Sequence, residues 1–229
     1  MEAIILAGGL GTRLREAVAG LPKPMAPVNG KPFLWYILKF LAQSGFSKVI
    51  ISAGYKANII FEYFGDSFEN IELKYVIEEQ PLGTGGAIFK SLHEVSIENV
   101  LIINGDTWFP VDIQSMFRFH ELNNAGITIA LKEMVDFDRY GSVELSGSNV
   151  AAFREKEFCR VGLINGGVYT INKGFLISLE LPEKFSFEKE ILEKLAGDTK
   201  LCGFISDAPF IDIGIPDDYN RAASFLKND

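Results

Sequence analysis

The segment Ala3-Ile4-Ile5-Leu6-Ala7-Gly8-Gly9-Leu10-Gly11-Thr12-Arg13 joins a continuous apolar run to a glycine-rich loop that ends in an arginine. A short run without polar residues, followed by glycines, is typical of a buried strand. Ligands of open α/β sheets bind beyond the carboxyl ends of the strands, which is the position of this loop. Its glycines let backbone N–H groups approach an anion, and Arg13 adds a fixed charge with a forked set of donors. The segment therefore predicts a phosphate-binding loop.

This loop differs from two common phosphate-binding motifs. The chain has no GxxxxGK[ST] pattern, which excludes a Walker loop, and Gly9-Leu10-Gly11 lacks the third glycine of the dinucleotide fingerprint. A dehydrogenase with a dinucleotide-binding fold is therefore disfavoured. For this segment taken alone, a glycine-rich turn beside a surface arginine is the structural alternative.

Short β-rich runs alternate with helical patterns along the chain. The strands predicted in the first half are residues 3–7, 49–53, 71–77 and 100–104, and the helices are 32–44, 58–64 and 87–95. Alternation at this spacing predicts a mostly parallel sheet with helices on both faces. The second half is mixed, with predicted strands 127–132, 142–145, 150–154, 167–171 and 201–205 and predicted helices 187–195 and 216–226. We therefore expect an α/β fold that is Rossmann-like, with three α/β/α layers and a mixed, mostly parallel central sheet, in a single domain over residues 1–229.

The composition narrows the class of protein. The 229 residues include 22 lysines and arginines and 30 aspartates and glutamates, which gives a net charge of −8. Such a chain is unsuited to wrapping nucleic acid, because that binding depends on counterion release by cationic side chains. The two cysteines, Cys159 and Cys202, are too few and too far apart for a disulfide scaffold or a zinc module. No apolar run approaches the roughly 20 residues that span a bilayer, and the start lacks the basic region of a signal peptide. We therefore expect a cytoplasmic protein without a membrane partner.

Two aspartates are candidate ligands for a hard cation. Asp106 lies in an Asn-Gly-Asp-Thr run directly after the predicted strand 100–104, and Asp212 lies between apolar residues in a Phe-Ile-Asp-Ile-Gly run. Mg²⁺ takes one or two protein carboxylates and leaves its other positions to phosphate and water. A carboxylate with apolar neighbours on both sides needs a charged partner or a metal. For Asp106, an ordinary turn role is the alternative.

Other polar residues lie in loops between the predicted elements. Lys23 stands between two prolines in a stiff loop, and the run 80–86 lies between a strand and a helix, where it presents a helix N-terminus to a ligand. The two histidines, His93 and His120, are isolated in the sequence, and we expect each to lie on a helix surface and not in a site.

The second half contributes a further group of candidates. Glu155 and Lys156 end the predicted hairpin, and Asn165 opens a strand beside two glycines. Trp108 and Tyr140 are candidates for the walls of a sugar site, although aromatic side chains more often pack in a core.

Together these motifs resemble the sugar-phosphate nucleotidylyltransferases, also called nucleotide-sugar pyrophosphorylases. The matching stretches are LAGGLGTRL from Leu6, PKPMAPVNGKP from Pro22, EEQPLGTGGA from Glu78, NGDT from Asn104, YGSV from Tyr140, REK from Arg154, INGGVY from Ile164 and IDIG from Ile211. They extend over nearly the whole chain and imply the nucleotide-diphospho-sugar transferase type of fold. The runs 136–141, 183–188 and 210–219 resemble one branch of this family, the D-glycero-α-D-manno-heptose 1-phosphate guanylyltransferases.

The resemblance implies a role for each candidate. The implied nucleotide-binding residues are Leu6, Ala7, Gly8, Gly9, Gly11, Thr12, Arg13, Gln80, Gly83, Thr84 and Gly85. Arg13 and Lys23 would be catalytic, and Asp106 and Asp212 would bind Mg²⁺. The implied sugar-phosphate-binding residues are Trp108, Tyr140, Gly141, Glu155, Lys156 and Asn165. Two positions depart from many relatives: Glu157 stands where a proline is common, and Phe210 stands where a tryptophan is common.

The implied reaction condenses a nucleoside triphosphate with a sugar 1-phosphate to give a nucleotide sugar and pyrophosphate. The branch resemblance favours GTP and D-glycero-α-D-manno-heptose 1-phosphate, which would supply surface polysaccharide synthesis. Alternatives with the same chemistry are mannose 1-phosphate guanylyl transfer, glucose 1-phosphate thymidylyl or uridylyl transfer, and N-acetylmuramate 1-phosphate uridylyl transfer. A non-catalytic nucleotide-sugar sensor is the alternative of another class. The sequence does not decide whether the chain forms a homo-oligomer.

Overall fold

The structure, a computed structural model, describes residues 1–9 and 20–226. Its strands are β1 (Glu2–Leu6), β2 (Pro27–Val28), β3 (Lys31–Pro32), β4 (Lys48–Ala53), β5 (Ser67–Phe68), β6 (Ile71–Ile77), β7 (Asn99–Asn104), β8 (Thr107–Trp108), β9 (Ile127–Phe137), β10 (Gly141–Ser146), β11 (Asn149–Lys156), β12 (Cys159–Asn172), β13 (Leu201–Ile205) and β14 (Ile211–Asp212). Its α-helices are α1 (Phe33–Gln43), α2 (Ala57–Phe64), α3 (Gly83–Ser91), α4 (Ile113–Leu122), α5 (Lys173–Ile177) and α6 (Pro216–Phe225). Two 3₁₀ turns, Lys23–Met25 and Leu92–Glu94, and a π-helical segment, Glu188–Leu192, complete the regular structure within the described residues.

Ten of the strands form one central sheet in the order β10-β11-β13-β9-β12-β7-β1-β4-β6-β5. The block β7-β1-β4-β6 is parallel throughout, and β9 pairs with β13 in parallel. The long strand β12 runs antiparallel to both β7 and β9 and so joins the two halves of the sheet. The mixed α/β sheet expected from the sequence is confirmed, with a uniformly parallel block in the first half of the chain. The expectation that the sheet is mostly parallel is wrong, because six of its ten strand pairings among the described residues are antiparallel.

Alternate residues of the central strands point into two separate cores. In β1, Ala3 and Ile5 pack on one face with helices α1 and α4, whereas Ile4 packs on the other face with helix α3. Strands β4 and β7 alternate in the same way, so every central strand is covered on both sides. This explains why these strands read as unbroken apolar runs, and it confirms the three-layer arrangement.

The observed elements differ from the predicted ones in three places. Helix α4 was not predicted; it begins where the Asp112 side chain accepts a hydrogen bond from the Ser115 N–H. Helix α3 starts at Gly83 instead of residue 87, because its glycines are needed for close packing and not for a loop. The predicted amphipathic helix 187–195 is a π-helical segment over Glu188–Leu192, followed by turns.

The expectation for His120 is wrong, because its side chain is buried in α4 and not exposed. Its Nδ1 lies 2.9 Å from Thr128 Oγ1, while its Nε2 has no hydrogen-bond partner among the described residues. Burial lowers the pKa of His120 to about 4. His93 is exposed, as expected. Among the described helices, none is long and apolar enough to cross a membrane.

Candidate active site

A cavity of about 400 Å³ opens at the carboxyl ends of the parallel strands. It is lined by the end of β1 and the loop after it, by the start of α3 and by the residues that follow β7; among these are Leu6, Ala7, Gly8, Gly9, Gly83, Thr84, Asn104 and Asp106. Six of the predicted nucleotide-binding residues therefore meet in one place. The predicted contacts of Gly11, Thr12 and Arg13 lie outside the described residues and stay predictions.

Lys23 and Asp106 form an ion pair at one side of this cavity. Lys23 Nζ lies 2.5 Å from Asp106 Oδ2, and both side chains are partly buried. The stiff turn around Lys23 holds the lysine here, because Met25 and Ala26 donate backbone hydrogen bonds to Pro22 and Lys23. The pair brings together a predicted catalytic residue and a predicted metal ligand.

Asp212 is brought next to this pair by a short two-stranded ribbon. Strands β8 and β14 are antiparallel, with Thr107 opposite Asp212, and the Ile213 N–H donates to the Asp106 carbonyl over 3.0 Å. The Gly214 N–H donates to Asp212 Oδ1 over 2.7 Å. A side chain at Gly214 would overlap Lys23 Nζ and lie 2.8 Å from Asp212 Oδ1, so it would displace the lysine from its present position.

The charges of this cluster suit a divalent cation. Burial raises the pKa of Asp212, and the nearby charge of Asp106 raises it further; the Gly214 N–H and Lys23 act in the opposite direction. A carboxylate with a raised pKa and a carboxylate neighbour is stabilised by an added positive charge. Two carboxylates beside a phosphate-sized cavity fit what Mg²⁺ takes from proteins. The residues present therefore fit the ion that the sequence implied.

Glu78 is a further charged residue of the same cavity. It follows β6 directly and accepts hydrogen bonds from the Leu82 N–H over 3.1 Å and the Ser52 hydroxyl over 3.3 Å. A side chain at Gly8 would lie 2.6 Å from Glu78 Oε1, so the carboxylate rests against the loop backbone. Sequence reasoning missed this residue, although an acidic residue at the carboxyl end of a predicted strand was the signal that identified Asp106.

A second cavity, of about 500 Å³, lies against the antiparallel part of the sheet. It is lined by Gly141, Glu155, Lys156 and Asn165, four of the six residues predicted on the sugar-phosphate side. Glu188, from the π-helical segment, lines it as well. The residues come from β10, β11 and β12 and from a segment 23 to 47 positions further along the chain, so only the fold brings them together.

Asn165 occupies an irregular stretch of β12. The pairing of β12 with β9 shifts between Asn165 and Tyr169, and the two glycines of this stretch lie within the irregularity. Asn165 Oδ1 accepts from the Gly167 N–H, and Asn165 Nδ2 donates to the Tyr169 hydroxyl, each over 2.9 Å. Gly167 has a positive φ of 69°, and a side chain there would lie 2.7 Å from the Asn104 amide nitrogen. The bulge thus fixes the amide of Asn165 in the lining of the second cavity.

Tyr140 lies beside the carboxylates. Its ring packs edge-on against Phe210 with centroids 5.9 Å apart, and its hydroxyl is buried without a hydrogen-bond partner among residues 1–9 and 20–226. Burial raises the pKa of Tyr140, as do the charges of Asp212 and Asp218, so the hydroxyl keeps its proton. Its sugar contact stays a prediction.

Three predicted residues lie elsewhere. Trp108 is partly buried and packs edge-on against Phe40 of α1, with ring centroids 5.8 Å apart, at the edge of the hydrophobic core. Gln80 is exposed and lines a groove on the far side of its loop. Gly85 is buried under the Phe185 ring. None of these three residues lines either of the two cavities, so their predicted ligand contacts stay predictions.

Comparison with known proteins agrees with this geometry. The family model described as "Nucleotidyl transferase" matches residues 2–229. The D-glycero-α-D-manno-heptose 1-phosphate guanylyltransferase of Aneurinibacillus thermoaerophilus is 54% identical over 228 residues, covering 100% of this chain and 99% of that protein. The protein of the same name from Campylobacter jejuni is 48% identical over 220 residues, covering 96% of this chain and 97% of that protein.

A solved structure leads to the same family. The crystal structure of HddC from Yersinia pseudotuberculosis complexed with GMP-PN superposes with a TM-score of 0.87 at 34% identity, and covers 99% of both chains. The match of the family model over almost the full length, together with two relatives near 50% identity, is decisive. This chain belongs to the nucleotidyl transferase family.

Proposed function

We propose that this protein transfers a guanylyl group from GTP to D-glycero-α-D-manno-heptose 1-phosphate. An oxygen of the sugar phosphate attacks the α-phosphorus of GTP, the bond from that phosphorus to the β-phosphate oxygen breaks, and GDP-heptose and pyrophosphate result. The observation that carries the proposal is the cluster of Lys23, Asp106 and Asp212 beside the first cavity, in a chain 54% identical to a guanylyltransferase over its full length. A nucleotide sugar of this kind would serve surface polysaccharide synthesis.

The chemistry of the attacking group explains why this site needs no general base. The second pKa of a phosphate monoester is about 6, so the sugar phosphate is already ionised near neutral pH. In agreement, His93 is exposed, and His120 is buried against Thr128 and lines neither cavity. Catalysis then depends on aligning two polyanions and on offsetting their repulsion.

Positive charge at the first cavity reduces the repulsion between the two polyanionic substrates. Lys23 is held by Asp106 at the edge of the first cavity, where its ammonium group can approach the reacting phosphates. Arg13 is proposed to contribute a second cation from the glycine-rich loop. Asp106 and Asp212 would hold Mg²⁺, which when bound stabilises the charge that develops on the phosphoryl oxygens.

Glu78 supports the choice of GTP over pyrimidine nucleotides. Guanine presents an N1–H and a 2-amino group side by side, and an ionised carboxylate accepts from both. Uracil and thymine present carbonyl oxygens on both sides of a single N–H, and these oxygens are repelled by a carboxylate. Glu78 keeps acceptor capacity beyond its bonds to Leu82 and Ser52, because each carboxylate oxygen has two lone pairs.

The second cavity is proposed to hold the sugar 1-phosphate. Lys156 supplies a cation for the phosphate, while Glu155 and Asn165 offer groups for hydroxyls. We further propose that residues 1–229 act as one domain, since one sheet contains strands from both halves of the chain, and that the protein works in the cytoplasm without nucleic-acid or membrane partners.

A substrate panel tests the proposal. Purified protein with Mg²⁺ is assayed for pyrophosphate release with five nucleoside triphosphates against heptose, mannose, glucose and N-acetylmuramate 1-phosphates. We expect the highest kcat/KM for GTP with the heptose phosphate. Equal turnover of mannose 1-phosphate would contradict the sugar assignment, and faster turnover of UTP or dTTP would contradict the base assignment. Nucleotide-sugar binding without any pyrophosphate release would favour a sensor.

A further inference from the structure

The π-helical segment Glu188–Leu192 connects the two cavities through its first residue. Glu188 is hydrogen-bonded to a residue that lines the first cavity, and it lines the second cavity itself. Thr84, which lines the nucleotide cavity, donates its hydroxyl proton to Glu188 Oε2 over 2.6 Å. The Ser186 hydroxyl donates to the same oxygen over 2.9 Å. Glu188 also lines the second cavity, next to Asn165 and Lys156.

Only one of the two Glu188 oxygens is occupied by these bonds. Across the described part of the chain, Oε1 receives no hydrogen bond, and no ion pair reaches the side chain. The residue is half-buried, and Oε1 is not among the buried side-chain atoms that lack a partner, so this oxygen is open to water or to a ligand. A carboxylate held at one oxygen and open at the other is pre-organised to accept from a ligand.

The position of Glu188 is fixed from the nucleotide side. The Gly85 and Gly86 N–H groups donate to the Phe185 carbonyl over 3.1 and 3.4 Å, and the Phe187 N–H donates to Thr84 Oγ1 over 2.9 Å. Side chains at Gly83 or Gly85 would overlap Phe185, so the glycines of α3 form the surface on which this segment packs. A short π-helical stretch in place of regular helix is frequent at functional sites.

We propose that Glu188 is a specificity-determining residue that accepts a hydrogen bond from a hydroxyl of the sugar 1-phosphate through Oε1. This inference rests on the proposed function and adds a residue to its sugar site. Thr84 and Ser186 orient the carboxylate, and the sugar hydroxyl supplies the donor that Oε1 lacks. The bond is charge-assisted, so a sugar without that hydroxyl leaves a half-buried carboxylate oxygen unpaired.

Steady-state kinetics of E188Q test this inference. Glutamine keeps the size of the side chain but loses the charge and replaces one acceptor by a donor. We expect the KM for D-glycero-α-D-manno-heptose 1-phosphate to rise about 10- to 100-fold, the range for one hydrogen bond to a charged group, with the KM for GTP changed by less than about threefold. E183Q is the matched control: Glu183 is an exposed glutamate of the same segment that does not line the second cavity, so this variant should keep the parental KM for the sugar phosphate.

The outcomes separate a sugar contact from a purely structural role. A structural role predicts that E188Q raises both KM values in parallel and lowers Tm, and that result would overturn the inference, as would a parental KM for the sugar phosphate. If E188Q does not fold, E188D replaces it, because it keeps the charge and withdraws the carboxylate by one methylene. An active parent with an unaffected variant refutes this inference alone, whereas a parent that transfers no guanylyl group refutes the proposed function and this inference together.

Discussion

The two cavities are built in different ways, although the hydrogen bond between Thr84 and Glu188 connects their linings. The nucleotide cavity lies at the ends of parallel strands that are adjacent in the sheet, and most of its residues come from short glycine-rich runs. The second cavity lies on antiparallel strands, and its residues come from four separate segments of which none is a recognisable motif by itself. The first cavity can therefore be predicted from short local motifs. The second forms only when β10, β11, β12 and the π-helical segment come together in the fold.

This difference determines which amino-acid substitutions each cavity should tolerate. The first cavity is lined mainly by loop residues with small or apolar side chains and by a few charged residues, so we expect single charged residues to dominate its energetics. The sugar side relies on side chains that hold one another, such as Asn165 with Tyr169 and Glu188 with Thr84. We therefore expect substitutions of the residues proposed to bind the base and the metal to change catalysis strongly and selectively. Substitutions that disturb the packing between α3 and the segment 183–188 should change mainly the stability of the fold.

The largest effect is expected at the carboxylate pair. Asp106→Asn and Asp212→Asn should each lower kcat about 100-fold or more, because each removes a charged ligand from a cation that stabilises the transition state. The measurement is kcat for pyrophosphate release at saturating substrates over a Mg²⁺ titration. Asp207→Asn, an exposed aspartate on the loop before β14, is the matched control and should keep parental kcat. Near-parental turnover of either variant at saturating Mg²⁺ would remove that residue from the metal site.

Substitution of Glu78 tests whether one charged side chain determines the preference for GTP over UTP. Glu78→Gln should raise the KM for GTP about 10- to 100-fold, since one charge-assisted hydrogen bond is weakened, and should narrow the preference for GTP over UTP. The neighbouring Glu79 is exposed and faces the groove on the far side of the loop, so Glu79→Gln serves as the control. If E78Q and E79Q have the same KM for GTP, Glu78 does not contact the base.

Substitution of Gly83 tests how tightly the segment 183–188 packs on α3. This residue has a positive φ of 75°, and a side chain there would overlap the Phe185 carbonyl. Gly83→Ala should therefore lower the free energy of unfolding by about 2 kcal/mol or more, from backbone strain together with the overlap. Gly197 also has a positive φ, of 88°, but its side-chain position is open, so Gly197→Ala should cost only the strain. Equal losses in chemical denaturation would show that segment 183–188 does not pack tightly on α3.

The smallest effect concerns His120, which lines neither cavity. Its pKa is lowered by burial to about 4, below the usual value of 6.5 in the unfolded chain. The associated stability is present above about pH 6.5 and is lost as the pH falls toward 4, because the unfolded chain then binds the proton first. Between pH 7 and 5.5 we expect a loss of about 1 kcal/mol that is absent in His120→Gln. The same loss in the variant would assign it to other groups.

Much of the fold follows from the sequence, because β1, β4 and β7 are buried on both faces and so appear as unbroken apolar runs. Helix α4 was missed although the sequence carries its signals, since five of its ten residues are apolar and Asp112 precedes it as an N-cap. In the site, Asp106 and Asp212 could be found from strand ends and apolar flanks. Glu188 and the packing position of Trp108 could not, since both depend on contacts between residues far apart in the chain.

The central claim, guanylyl transfer to a heptose 1-phosphate, is tested most directly by following one reaction mixture by ³¹P NMR. The parent protein is mixed with GTP, Mg²⁺ and D-glycero-α-D-manno-heptose 1-phosphate. We expect the signals of GTP and of the sugar phosphate to decrease together, while signals of a nucleotide diphospho-sugar and of pyrophosphate grow in equal amounts. An unchanged spectrum, or conversion of GTP to GDP and phosphate with the sugar phosphate left intact, would contradict it.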